Sequence, residues 1–187
     1  DVSKAIRIAQ QFEVSKQFWA ALVREGLLPD PSAFIRSVPH IGFVWGEGNV
    51  AFLRARFAAM QESPLFRGMQ YSEDPAEIAV WAPLVMAGRD PSQQVAATRM
   101  SVGTDVNFGA LTRAMIGHLQ TQDSVTVHLG HEVRDFRNKP DGWRLLVYDQ
   151  AWDTHRVVRA RFVFIGAGGG AMTLLEASGI PEANGYG

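Results

Sequence analysis

The sequence predicts a mixed α+β fold, on three observations. Helical periodicity runs through the first two-thirds of the chain, with apolar residues recurring three and four positions apart. After Gln122 the pattern changes to strand-like alternation. Near the C-terminus an apolar run, R-F-V-F-I at 161–165, drives into the glycine cluster of residues 166–170 and then a short amphipathic stretch. Helices early, strands late and a closing strand–glycine turn–helix define an α+β or mixed α/β chain.

Each element has a local reason. Residues 3–25 read as a long helix with Ser3 as a candidate cap, since Ile8, Phe12, Ser15, Trp19 and Leu22 share one face. Gly26 and Pro29 end it. Residues 34–39 read as irregular, and 40–45 (H-I-G-F-V-W) as an aromatic, β-prone strand. Asn49 is the expected cap of a second helix, with Val50, Leu53, Phe57 and Met60 as its apolar stripe and Pro64 as its stop. Residues 63–74 read as loop. Asp74-Pro75-Ala76-Glu77 is a helix start, with Asp as cap, Pro at the first position and Glu reaching back. That helix ends near Trp81-Ala82-Pro83.

A polar loop at 88–94 leads to a strand over 95–102 (V-A-A-T-R-M-S-V), and Asn107 caps a helix through Gln120. Strands are expected at 125–129, 132–137, 143–149 and 156–165, with Pro140-Asp141-Gly142 as a hairpin turn. The chain divides into a helix-rich portion, 1–106, and a second portion, 107–187.

Composition excludes several classes. The apolar fraction of 47% supports a real core, and a net charge of −1 argues against bulk attraction to nucleic acid. There is no cysteine, hence no disulfide, thiolate metal site or thiol nucleophile. No signal peptide and no membrane-spanning apolar run occurs. No G-x-S-x-G elbow is present, against serine hydrolysis. The histidines are scattered, with no H-E-x-x-H pattern, so no metal site is expected. The five tryptophans read as core or half-buried packing.

Three features carry candidate chemistry. The glycine cluster is either a turn that lets a dinucleotide approach the backbone or a glycine-rich strand end without a ligand. His40, between Pro39 and a strand, is a general base, a carboxylate anchor or simply a hydrogen-bonded histidine. Arg99, inside an apolar strand, needs a carboxylate or a route to solvent. It grips a substrate carboxylate, forms an internal ion pair or faces outward. A nucleotide-binding strand–turn–helix normally opens its domain, and too few residues follow this one for a further parallel strand. With Asp rather than Met at position 1, this predicts an internal stretch of a larger nucleotide-dependent protein.

Several long strings carry a more specific signal: S-V-P-H-I-G-F-V-W-G-E-G-N-V-A-F-L-R-A-R, S-P-L-F-R-G-M-Q-Y-S-E-D-P, W-A-P-L-V-M-A-G-R-D, V-A-A-T-R, G-T-D-V-N-F-G-A-L-T-R and R-F-V-F-I-G-A-G-G-G-A. Together they resemble malate:quinone oxidoreductase over nearly the whole chain. The resemblance implies an FAD-dependent flavoprotein of the glutathione-reductase-like/amino-acid-oxidase type. Such a protein oxidises (S)-malate to oxaloacetate in the tricarboxylic acid cycle and passes the electrons to a membrane quinone. It implies a cytoplasmic protein, peripheral on the inner face of the cell membrane. Portion 1–106 would belong to the substrate domain and 107–187 to the FAD side.

The resemblance also implies that the strand and G-x-G-x-x-G loop holding the FAD pyrophosphate precede Asp1, and that a later half follows. The isolated stretch is then expected to be inactive and to hold no FAD. By resemblance, Val133, Ala167, Gly168 and Gly169 contact the cofactor. Malate has two carboxylates and needs cationic donors, for which Arg89 and Arg99 are the candidates. His40 and Arg99 are the catalytic candidates, since a base must take the hydroxyl proton as hydride leaves. The alternatives are a related flavin-dependent 2-hydroxy-acid dehydrogenase and a non-catalytic folded module.

Overall fold

The computed structural model describes residues 2–180. It is mixed α and β. The chain divides into two compact units, residues 1–125 and 126–187.

In the first unit, helix α1 (Val2–Arg24) has Ser3 within its first turn rather than ahead of it. Its expected apolar face is used toward the C-terminal end. Trp19 meets Phe12, Phe34 and Phe108 edge-on, and Trp19 and Leu22 pack on the buried cluster of Leu28, Phe34 and Leu111. Ile8 is exposed. Two short strands, β1 (Ile35–Ser37) and, later in the chain, β5 (Thr104–Val106), pair antiparallel. The sequence reading expected neither, because three residues leave no alternation to detect.

Strand β2 (His40–Trp45) follows, as expected. Helix α2 (Glu47–Gln61) starts earlier than its sequence signal: Gly46, at φ +84, is the cap, and Asn49 lies inside the first turn. The Asn49 amide donates back to the Trp45 carbonyl instead of accepting from the helix. The expected stripe holds, with Val50, Leu53 and Met60 buried and Phe57 stacked on Tyr71.

A further unexpected strand, β3 (Gln70–Ser72), lies in the stretch read as loop. Helix α3 (Pro75–Trp81) opens as its sequence specifies, the Asp74 carboxylate accepting from the Ala76 N–H. A four-residue turn of helix, α4 (Pro83–Met86), follows. Strand β4 (Val95–Met100) is the centre of a three-stranded antiparallel sheet in the order β2-β4-β3. Helix α5 (Phe108–Gln120) has Asn107 as its cap, accepting from the Ala110 N–H. Leu111 ties α5 to Leu28 and Phe34, so α5 belongs with the first unit and not with the second portion that the sequence reading drew from 107.

The second unit is a meander of β6 (His131–Lys139), β7 (Gly142–Asp149) and β8 (Thr154–Ala160), with α6 (Ala171–Ser178) packed on β6. Phe136 and Val147 form its buried centre. Gly142, at φ +116, closes the hairpin, where a Cβ would lie 2.7 Å from the Ala160 carbonyl oxygen.

Two expected strand segments are absent. Residues 125–129 alternate but have no partner strand, and Leu129 is exposed. Strand β8 stops at Ala160 because β7 begins at Gly142 and leaves nothing for 161–165 to pair with. Phe162 and Phe164 of that run are exposed. Trp45 and Trp152 also depart from expectation, being 52% exposed at the end of β2 and 77% exposed at the β7–β8 turn.

Candidate functional site

The sheet β2-β4-β3 sorts the candidate residues by face. Neighbouring residues of a strand point to opposite sides, while directly paired residues point to the same side. On β4, Val95, Ala97 and Arg99 face one way and Ala96, Thr98 and Met100 the other. Val95 and Ala97 bury against Ile78 of α3, with Ile41, Phe43 and Trp81 around them. Ala96 buries against Val50 and Leu53 of α2, with Val44 and Tyr71.

Arg99 pairs with Ile41 on β2 and with Gln70 on β3, which puts it on the α3 face. It is half-buried there, in a cleft of about 320 Å³ lined by Pro39, Ile41, Val80, Trp81 and Arg99 itself. Its Nη1 donates to the Gln70 Oε1 at 3.3 Å.

Arg89 reaches the same face from the loop after α4. Its guanidinium carbon lies 4.6 Å from the centre of the Phe43 ring and 5.4 Å from that of Trp45. Both rings project from the α3 side of β2, since Phe43 pairs with Ala97 and Trp45 with Val95. The Arg89 Nε donates to the Val85 carbonyl at 2.9 Å, and its Nη1 donates to the Gln93 Oε1. Stacking on aromatic rings and two hydrogen bonds hold the fork in one orientation. Among the described residues, neither Arg89 nor Arg99 forms an ion pair with a carboxylate.

His40 lies on the other face. It pairs with Met100, so its side chain projects toward the α2 side. There it borders a separate groove of about 650 Å³, with Phe12, Met60, Met69 and Met100 among its lining and Lys4, Glu13, Lys16 and Arg56 supplying charge of both signs. Gly103 packs against its backbone: a Cβ there would lie 2.8 Å from the His40 nitrogen and 2.5 Å from the Val38 carbonyl oxygen. The structure therefore brings Arg89 and Arg99 to one face and sets His40 apart from both.

The remaining candidates are in the second unit. Val133 is half-buried on β6, an edge strand of its sheet, where it pairs with Val147 just before a bulge. The glycine cluster forms a 3₁₀ turn, Gly168–Gly170, entered from Ala167 and running directly into α6. Gly168 has φ +54 and needs glycine for its backbone. Gly169 has no such need, and a Cβ on it would meet nothing within 4 Å. Nothing among the described residues explains glycine at 169. A bare, exposed turn ahead of a helix suits the close approach of a phosphate-bearing ligand. β6, which carries Val133, is an edge strand, and backbone groups of it that turn away from β7 are open to a planar base. These residues fit one side of a dinucleotide such as FAD.

Elsewhere, the Glu73 carboxylate receives both Arg54 Nε at 2.7 Å and Arg54 Nη2 at 2.8 Å, as well as the Tyr71 hydroxyl. The Arg54 bonds, followed by the Tyr71 bond, hold Glu73 down to a pKa of about 2. His131 lies 3.3 Å from Asp149, but no group of three His, Asp or Glu among the described residues could hold a metal. No helix among them is long and apolar enough to cross a membrane.

The sequence reading missed Gln70 and Gln93, the partners of the two arginines. Gln93 lies in a polar loop and Gln70 on a three-residue strand flanked by Gly68 and Asp74. Only the pairing register shows that Gln70 faces Arg99.

The sheet face carries two guanidiniums with no carboxylate partner among the described residues, and the glycine turn is open to solvent. All residues 1–187 match the family described as malate:quinone oxidoreductase (Mqo). The chain is 58% identical to the probable malate:quinone oxidoreductase 1 of Pseudomonas aeruginosa, over 100% of this chain and 36% of that protein. It is 54% identical to the probable malate:quinone oxidoreductase of Serratia proteamaculans, again over 100% of this chain and 36% of the relative. This chain belongs to the malate:quinone oxidoreductase family, and it spans 36% of the length of these relatives.

Proposed function

We propose that this chain contributes the dicarboxylate-holding face, and one side of the FAD site, to an enzyme that oxidises (S)-malate to oxaloacetate and passes the electrons to a membrane quinone. Malate and quinone come from the names of its relatives. Carrying the reading is the presence of Arg89 and Arg99 on one sheet face with no carboxylate partner among the described residues. The parent fold in this reading is a flavoprotein of the glutathione-reductase-like/amino-acid-oxidase type. The first unit serves the substrate and the second the flavin.

A dicarboxylate suits this face. Ile41 and Phe43 are two residues apart on β2, a spacing of about 6.8 Å. Arg99 stands beside the first and Arg89 over the second, so two separated carboxylates can each meet a guanidinium fork. The Ile41 and Trp81 side chains keep the floor of the Arg99 cleft apolar, which strengthens charge-assisted bonds made there. The five residues lining that cleft include no carboxylate and no imidazole. Binding and orientation are therefore the work assigned to it, and the base that takes the C2 hydroxyl proton is assigned to none of the five. Val133, Ala167, Gly168 and Gly169 would hold FAD, which when bound supplies the two-electron acceptor for the C2 hydride. Quinone as the acceptor calls for contact with the membrane surface, peripheral and on the cytoplasmic side.

The test is turnover by an enzyme of the relatives' full length carrying this segment, with a quinone analogue as acceptor. Malate should be oxidised far better than lactate, which has one carboxylate, and better than 2-hydroxyglutarate. Turnover of 2-hydroxyglutarate or lactate with none of malate would overturn the reading.

A further inference from the structure

The two arginines share a second feature, carried by their partners. Each is held by the amide oxygen of a glutamine: Arg99 by Gln70 at 3.3 Å and Arg89 by Gln93. Four other arginines are paired to acids, Arg54–Glu73, Arg134–Glu132, Arg137–Asp135 and Arg144–Asp141, and none of those four has a glutamine partner among the described residues. The distinction matters. A carboxylate partner orients a guanidinium but also neutralises it, so an incoming anion gains little. A glutamine accepts one N–H, fixes the plane of the fork and leaves the full positive charge for another anion.

Placement supports the same reading. Gln70 is the cross-strand partner of Arg99, on the same face of the sheet, so its side chain reaches the guanidinium along the shortest path. Gln93 is four residues from Arg89 in the loop between α4 and β4, where the Arg89 Nε bond to the Val85 carbonyl already fixes one edge of the fork. The acid next to Arg89 in sequence is engaged elsewhere: the Asp90 carboxylate accepts from the Ser92 N–H and hydroxyl.

We infer that Gln70 and Gln93 are positioning residues for a dianion. They orient the Arg99 and Arg89 guanidiniums while keeping both charges uncompensated, and so set the preference of this face for dicarboxylates. The inference rests on the proposed role of the two arginines.

The experiment compares Gln70→Glu and Gln93→Glu with wild type in the full-length enzyme, by malate steady-state kinetics and melting temperature. Glu has the length and shape of Gln, so the substitution changes charge and little else. The new carboxylate should pair with its arginine. The KM for malate should then rise about five- to tenfold with kcat within about twofold and the melting temperature unchanged or higher. Gln70→Met, which removes the acceptor without adding charge, should raise KM less than Gln70→Glu. A merely structural role predicts the opposite order, with the glutamates tolerated. An unchanged KM in both glutamate variants, with KM raised in Arg99→Lys, overturns this inference and leaves the substrate reading standing. An unchanged KM in Arg99→Lys and Arg89→Lys overturns both.

Discussion

His40 and Arg99 stand one residue out of register on adjacent strands and project from opposite faces of one sheet. His40 pairs with Met100 and Ile41 with Arg99, so the one-residue offset turns the two side chains away from each other. A histidine and an arginine that look adjacent on a strand ladder are therefore presented to opposite sides of this sheet.

This separation makes a prediction for His40. In the full-length enzyme, His40→Asn should change the KM for malate by less than about twofold, because the proposed carboxylate-holding arginines lie on the opposite, α3 face. Steady-state malate kinetics check it. A large rise in KM would place His40 with the substrate.

Two glycines separate packing from ligand contact. Gly103→Ala should destabilise the protein by about 1–3 kcal/mol, because the new methyl runs into backbone atoms of Val38 and His40 that cannot swing aside. Gly169→Ala should leave stability nearly unchanged, since its methyl meets nothing within 4 Å. In the full-length enzyme it should nevertheless weaken flavin retention. Chemical denaturation and flavin absorbance after gel filtration read the two effects, and full flavin retention in Gly169→Ala would remove that glycine from the cofactor contacts.

Acid should weaken the tie between α2 and the loop after β3. In the folded protein Glu73 titrates at about 2, below its ordinary 4.5, because Arg54 and Tyr71 bond its charged form. A depressed folded value means that this contribution is fully present above the ordinary pKa. It fades as pH falls from about 5 toward 2. The stability difference between wild type and Glu73→Gln should shrink over that window, as followed by urea unfolding at stepped pH. A difference that stays constant down to pH about 2 would contradict the assignment.

Much of the fold was legible because the long elements carry their own signals. The α2 stripe of Val50, Leu53, Phe57 and Met60, the Asp74-Pro75 start of α3 and the Asn107 cap of α5 are all local, and all are present. What escaped was set by partners. The strands β1, β3 and β5 are three residues each and exist only through their ladders. Residues 161–165 have the composition of a strand but lie beyond the end of β7, and composition cannot supply a partner. The same holds for the candidate site. Arg99 stood out as a charge in an apolar run, whereas its companionship with Arg89 and separation from His40 follow from register and from the cation–π contact over Phe43.

The role proposed for the α3 face of this sheet is to bind the two carboxylates of malate through Arg89 and Arg99. The most direct measurement is kcat/KM for malate in full-length Arg99→Lys, taken together with flavin content and melting temperature. Lysine keeps the charge but loses the planar fork, a loss of about 1.5–3 kcal/mol for a charge-assisted bond, or roughly 10- to 150-fold in kcat/KM. That loss is expected in an enzyme that remains folded and yellow. Wild-type kcat/KM in Arg99→Lys, whatever happens to its stability, would contradict that role.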